Sequence, residues 1–164
     1  LMLDKCATVD EALDLLEQYD MHSSANSCYH FQIADASGDT VVVEYVDNEM
    51  SVLDPEDVTT AGQPAAGTTY MAATNFLLTP GEYDFGTGQD RYQIVTEGLG
   101  ATDGVLSEDE AMSLLAACSQ EPHINSRGEE IQTQWSVVYN LDKQSATIAI
   151  GRDYENVYEV SLRE

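Results

Sequence analysis

The first helix of the chain is predicted from a capping signal followed by an apolar stripe. Thr8 and Glu11 have the spacing of a capping box, in which each side chain bonds to the backbone N–H of the other residue. The residues behind them repeat at helical spacing on one face: Ala12, Leu13, Leu15, Leu16 and Tyr19. The pattern predicts a helix over 9–20 with one side buried.

Two further helices are predicted in the second half of the chain. Ser107 opens a second capping box ahead of a stripe of Ala, Met, Leu and Cys residues, which predicts a helix over 108–118. Asp90 is in a capping position ahead of Tyr, Ile and Val residues, and glycines interrupt the pattern after Glu97. We therefore expect a helix from Asp90 to about Glu97.

Runs rich in β-branched and aromatic residues, bounded by Gly, Asp, Asn and Pro, predict strands. The predicted strands are 27–34, 40–46, 48–53, 69–76, 132–140, 145–151 and 156–162. A short Asp-Ala-Ser-Gly-Asp loop joins the first two strands, which predicts a hairpin. Polar segments over 54–67 and 122–130 are predicted to be loops. Trp135 stands within a predicted strand, and we expect its side chain in the core.

The order of these elements indicates the fold class. Helices are segregated from antiparallel hairpins along the chain, which is typical of α+β proteins. We expect one domain over 1–164, in which two antiparallel sheets stack and helices flank them.

The charge balance excludes some partners. The chain has 30 Asp and Glu against 6 Lys and Arg, and its net charge is −24 at pH 7. Such a surface repels phosphate backbones and anionic lipids, so neither nucleic acid nor a membrane is expected as a partner. No apolar run reaches the ~18 residues that a membrane helix requires.

Cysteine and histidine residues give no metal-site spacing, so we expect neither a metal nor a cofactor. Three cysteines without a CxxC pair favour reduced thiols in the cytoplasm. Cys6 and Cys118 are interpreted as packing residues. Cys28 and His30 are two apart on a predicted strand and can form an activated thiolate pair, although a buried thiol beside a hydrogen-bonded histidine is the commoner arrangement.

Two polar residues in the middle of the chain are candidates for a site. Asn75 interrupts an apolar run, and its side-chain amide can donate a hydrogen bond to a developing oxyanion. Arg91 is the lone Lys or Arg of a long acidic stretch, and its guanidinium can bind a carboxylate or a thiolate. Structural alternatives are a turn role for Asn75 and an ion pair of Arg91 with Asp84 or Asp90.

Five segments occur in an order shared with one known group of enzymes. CATVDEALDLL precedes the hairpin CYHFQIADASGDTVVVEY, which contains a D-x-x-G and a V-x-E pattern. MAATNF, TGQDRY and TQWSVVYNLDKQSATIAI follow. The ordered set resembles the linear amide C–N hydrolases, that is, the choloylglycine hydrolase and penicillin V acylase group with the related acyl-coenzyme A:6-aminopenicillanic acid acyltransferase-like proteins.

This resemblance implies a fold and a chemistry. The group belongs to the N-terminal-nucleophile hydrolases, four-layered αββα proteins in which an N-terminal Cys attacks an amide carbonyl and its own amine serves as base. Matched onto this sequence, Asn75 would stabilise the oxyanion and Arg91 would lie near the nucleophile. The implied substrates are small-molecule amides such as conjugated bile acids, penicillin V or N-acyl amino acids, and a homo-oligomer is expected.

The sequence also departs from the group. It begins at Leu1, and the nucleophile, the early Asp and Arg of the site and a further Asn have no counterparts. Cys6 lies before the first helix and is not taken as the nucleophile. We expect a C-terminal portion of a longer hydrolase that is inactive without its N-terminal part. The alternatives are a non-catalytic acidic α+β interaction domain and a thiol enzyme using Cys28 and His30.

Overall fold

A computed structural model describes residues 1–19, 21, 29–55 and 70–161. In these residues the helices are α1 Met2–Lys5, α2 Val9–Leu16, α3 Gln89–Gly100 and α4 Glu108–Ala117. The strands are β1 His30–Ala34, β2 Thr40–Val46, β3 Glu49–Leu53, β4 His123–Ile124, β5 Glu130–Ile131, β6 Trp135–Asn140, β7 Ser145–Ile150 and β8 Tyr158–Ser161. They pair into antiparallel sheets in the orders β1-β2-β3, β4-β5 and β6-β7-β8, which confirms the α+β class.

The chain divides into two compact units, Leu1–Tyr92 and Gln93–Glu164. Each unit contains a three-stranded antiparallel sheet and at least one helix, which is consistent with part of an αββα fold. The single domain expected over 1–164 stays a prediction.

In the first unit, α2 and the β1-β2-β3 sheet share one apolar core. Val9 and Leu16 of α2 pack with Val41 and Val43 of β2. The intervening Val42 points to the opposite face and is also buried. The three consecutive valines therefore mark a strand that is covered on both faces.

The α2 helix has the predicted start and an earlier end. The Thr8 hydroxyl accepts a hydrogen bond from the Glu11 backbone N–H at 3.2 Å, but the Glu11 carboxylate accepts from the N–H of Ala7 rather than from Thr8. The last turn tightens, because the N–H groups of Gln18 and Tyr19 bond to carbonyls three residues back. The helix therefore ends at Leu16 and not near residue 20.

The predicted strand over 69–76 is wrong for its described part. Residues 70–76 have no regular secondary structure. Ala72, Leu77 and Leu78 are buried, so the apolar run in this region reports burial rather than strand pairing. The segment is tied to the sheet by side chains: Gln32 donates to the Met71 carbonyl at 3.2 Å.

The α3 helix continues through the glycines expected to end it. At Gly98, inside the helix, a Cβ atom would stand 2.6 Å from the Leu114 side chain, so glycine lets Leu114 of α4 pack closely there. The capping box of α4 is complete, with hydrogen bonds between Ser107 and Glu110 in both directions. Glu108 at the start of α4 accepts hydrogen bonds from Asn140 at 2.7 Å and Lys143 at 2.6 Å.

The β6-β7-β8 sheet confirms the three predicted strands but reverses the expected burial. Trp135 is 65% exposed, so the prediction that it lies in the core is wrong. Ser136 and Ala149, which pair on the other face, are 8% and 1% exposed. The period-two alternation of β6 is correct, but alternation alone does not say which face is covered. The short β4-β5 ladder lies at the edges of the predicted loop over 122–130.

Candidate active site

The candidate site is built from two irregular segments of the first unit that bond directly to each other. The Thr87 N–H donates to the Asn75 carbonyl at 2.8 Å. The Thr74 hydroxyl donates to the Gly88 carbonyl at 3.0 Å. Since α3 begins at Gln89, these bonds hold Asn75 against the start of that helix.

Asn75 and Arg91, the two residues expected in a site, are brought together. The Nη2 of Arg91, in the first turn of α3, donates to the Asn75 Oδ1 at 2.5 Å. A guanidinium has only donors, so it can bond only to the carbonyl oxygen of the amide. The bond therefore fixes the amide orientation and directs the Nδ2 donors away from Arg91.

The surroundings of this pair leave the amide accessible. Asn75 is exposed and Arg91 is half-buried. Among the described residues, no ion pair joins Arg91 to Asp84 or Asp90, so the simple structural alternative is not found there. An exposed amide donor held by a cation is suited to bind an anionic oxygen.

Gly88 makes room for the pair. Its φ of +88° lies in the left-handed region that favours glycine. A Cβ atom at this position would stand 2.5 Å from Arg91 Nη2 and 3.2 Å from Thr74 Oγ1. Any larger residue would therefore displace the guanidinium or the threonine hydroxyl.

Aromatic packing holds the beginning of α3 beside the Asn75 segment. The rings of Phe76 and Tyr92 meet edge to face, with centroids 5.1 Å apart. Tyr92 is buried, and this burial, together with the charge of Tyr70, raises the Tyr92 pKa to about 12. The phenol therefore stays protonated near neutral pH and adds no charge beside Arg91.

Glu44 anchors the segment that follows Asn75. This glutamate, in the central strand β2, is 0% exposed. Its carboxylate accepts hydrogen bonds from the N–H groups of Leu78 and Thr79, at 2.9 Å and 2.8 Å, and from the Thr79 hydroxyl at 2.6 Å. Burial raises the Glu44 pKa, but hydrogen bonds from His30, Thr79 and Leu78 outweigh it, so the net pKa is lowered.

Asp35 has a similar anchoring role at the other end of the hairpin. Its carboxylate accepts hydrogen bonds from the Val9 N–H at the start of α2 at 2.9 Å, and from the N–H and hydroxyl of Ser37. The hydrogen bond from the Ser37 side chain, followed by that from Val9, lowers the Asp35 pKa. The D-x-x-G and V-x-E pattern of the hairpin thus supplies two buried anchors.

The thiol hypothesis gains no support from the described residues. Cys28 lies outside them. His30 Nδ1 is 3.5 Å from the Glu44 carboxylate, so the histidine faces a structural anion. Cys6 donates to the Glu11 carbonyl, and Cys118 donates to the Leu114 carbonyl within the last turn of α4.

Sequence reasoning missed Gly88 and Glu44 as parts of this arrangement. Gly88 lies in a glycine-rich stretch without a phosphate-loop pattern, so its sequence alone does not indicate a site. Glu44 carried a usable signal, because a carboxylate inside an otherwise apolar strand requires buried hydrogen-bond donors.

Further findings bear on chemistry and identity. Within the described residues, no helix is long and apolar enough to cross a membrane, and no three His, Cys, Asp or Glu are grouped as metal ligands. A search of curated proteins gave no match.

The family model of the linear amide C-N hydrolases, choloylglycine hydrolase family, matches residues 1–84. The matched half contains α2, the hairpin with Asp35 and Glu44, and Asn75, whereas Arg91 lies beyond it. On this match, the chain belongs to the choloylglycine hydrolase family of linear amide C-N hydrolases.

Proposed function

We propose that this chain is a C-terminal part of an enzyme that hydrolyses linear amide bonds in small molecules, and that Asn75 is its oxyanion donor. The observation that carries the proposal is the 2.5 Å bond from Arg91 to Asn75 Oδ1, which orients the Nδ2 donors outward. Family membership supports the reaction class. The exposure of Asn75 is compatible with the approach of a substrate.

In the proposed reaction, a thiolate adds to the amide carbonyl and the carbonyl oxygen becomes an oxyanion. The Asn75 Nδ2–H donates to that oxygen, and the positive charge of Arg91 stabilises the same developing charge through the polarised amide. The amine of the nucleophilic cysteine, which takes the thiol proton, gives it to the leaving amine as the adduct collapses, and water then hydrolyses the acyl-enzyme thioester to the acid and the free thiol.

The nucleophile in this proposal is a cysteine from a part of the protein outside these 164 residues. Cys6 and Cys118 are free thiols that donate to nearby backbone carbonyls, which supports packing roles for them. Free thiols are also in keeping with the cytoplasmic location expected from the sequence.

The substrate classes proposed are conjugated bile acids, penicillin V and N-acyl amino acids.

The test is an assay of the intact protein on glycine- and taurine-conjugated bile acids, penicillin V and a series of N-acyl amino acids. Release of the free amine is measured, with and without prior alkylation of thiols. We expect hydrolysis of at least one class, abolished by alkylation. Absence of hydrolysis across the panel contradicts the proposal and favours the non-catalytic acidic interaction domain.

A further inference from the structure

We propose that Glu44 is a positioning residue of the amidase site, which holds the Asn75 amide in place through the backbone of Leu78 and Thr79. This inference rests on the proposed function for its kinetic consequence. The positioning itself is a structural property that can be measured without a substrate.

The first observation is a row of polar side chains across the sheet. The strand register pairs His30 of β1 with Glu44 of β2, and Glu44 with Ser51 of β3. Facing residues in neighbouring strands point to the same side, so the three side chains form one row. His30 Nδ1 lies 3.5 Å from the carboxylate, and Ser51 Oγ lies 3.1 Å from the Thr79 hydroxyl.

Glu44, in the middle of this row, binds the backbone of the segment that follows Asn75. Both carboxylate oxygens of Glu44 are used by Leu78 and Thr79. A buried carboxylate with several charge-assisted bonds fixes its donors far more firmly than an apolar contact does. These bonds therefore hold the backbone of Leu78 and Thr79, just after Asn75, in one position on the sheet.

The third observation is the position of Asn75 between two anchors on the same sheet face. Gln32 holds the Met71 carbonyl on one side, and Glu44 holds Leu78 and Thr79 on the other. Residues 70–88 have no helix or strand of their own, so these side-chain bonds replace the ladder that would fix a strand. Loss of the Glu44 anchor would free one end of the segment that carries Asn75.

The consequence is a specific pattern of kinetic change. Glu44 is fully buried and its carboxylate oxygens bond to Leu78 and Thr79, so its loss should act through Asn75 and change transition-state stabilisation more than substrate binding. For Glu44→Gln, in which an N–H₂ group replaces one acceptor oxygen, we expect kcat to fall by about tenfold or more and KM to change by less than about threefold.

A double-mutant cycle separates positioning from general loss of structure. In the Asn75→Ala background there is no amide left to position, so Glu44→Gln should reduce kcat by no more than about twofold. An equal loss in both backgrounds would overturn the proposal. Thr79→Val and its conservative counterpart Thr79→Ser serve as a second pair if Glu44→Gln does not fold, since only Thr79→Ser keeps the hydroxyl that bonds to Glu44.

Asp35→Asn is the matched control. Asp35 is a buried carboxylate of the same hairpin, but it bonds to Val9 and Ser37 and not to the Asn75 segment. The control should lower stability and leave kcat of the folded protein within about twofold. A similar fall of kcat in Asp35→Asn and Glu44→Gln would show that hairpin damage, not positioning, is responsible.

NMR of the ¹⁵N-labelled intact protein without substrate tests the positioning separately from catalysis. We expect folded Glu44→Gln to show faster exchange of the Leu78 and Thr79 amides and averaged signals for the Asn75 side-chain amide, while Asp35→Asn keeps the wild-type signals. Unchanged Asn75 signals in folded Glu44→Gln overturn the inference. If no amide is hydrolysed but the Asn75 signals change, the proposed function fails and the positioning stands.

Discussion

At the scale of single residues, the candidate site depends on two polar groups whose bond could not be predicted. The sequence singles out Asn75 and Arg91 because each is unusual where it stands. Their hydrogen bond joins residues 16 positions apart across a segment without regular structure. No periodicity relates such positions, so only the folded chain reveals that the guanidinium orients the amide.

Gly88 provides a prediction with an internal control. Gly88→Ala and Gly38→Ala both place a side chain at a left-handed φ, +88° and +98°, and each should lower the free energy of unfolding by about 1–2 kcal/mol. Only Gly88→Ala also meets Arg91 and Thr74, since nothing lies within 4 Å of a Cβ at Gly38.

We therefore expect Gly88→Ala to lose at least tenfold in kcat by displacing Arg91, and Gly38→Ala to keep wild-type kcat. Urea denaturation and amide-hydrolysis kinetics of both variants measure the two effects. Equal activity of the two variants would show that the geometry around Gly88 does not matter for the reaction.

At the scale of elements, the hairpin is the framework of the first unit. Asp35 at its turn bonds to the start of α2, and Glu44 in its central strand bonds to the segment after Asn75. Both carboxylates have lowered pKa values and accept backbone N–H groups. The D-x-x-G and V-x-E pattern of the hairpin therefore marks a turn and a strand, and its two carboxylates also bind the backbone of neighbouring segments.

Asp35 gives an acid-stability prediction. Its pKa is lowered in the folded state below the ordinary value of 3.8, so the folded protein binds fewer protons than the unfolded one around that pH. The stabilisation is complete above pH 3.8 and is lost as pH falls through the folded-state pKa. Asp35→Asn should be less stable at pH 7 and should lose less stability between pH 4 and 2.

Urea midpoints of the wild type and Asp35→Asn over that pH range test this prediction. Other carboxylates, Glu44 among them, titrate in both proteins, so the difference between the two curves isolates Asp35. Parallel curves would mean that the bonds to Val9 and Ser37 do not depend on the charge of Asp35.

The elements also show what the sequence can predict. Capping residues and an apolar stripe gave the starts of α2 and α4, because local bonds determine where a helix begins. The prediction of a strand over 69–76 was wrong for its described part. An apolar run indicates burial, and a segment without regular secondary structure can be buried as a strand can. The prediction that Trp135 is buried was wrong, because alternation along a strand does not say which of its two faces the rest of the chain covers.

At the scale of the whole molecule, fold class and reaction class rest on different evidence. The α+β class follows from the order of helices and hairpins and is confirmed. The reaction class follows from the family match over residues 1–84, which covers Asn75 but not Arg91. The assignment of Asn75 is therefore the point at which family, geometry and chemistry can be tested together.

The most direct test compares the wild type with Asn75→Asp in the intact protein, using the amide that it hydrolyses best. Aspartate keeps the size of the side chain and can still accept from Arg91, but an ionised carboxylate offers no donor to an oxyanion. We predict that kcat falls by about 100-fold or more with KM within about threefold, as is typical of a lost oxyanion donor. Wild-type kcat in a folded Asn75→Asp variant would contradict the assignment.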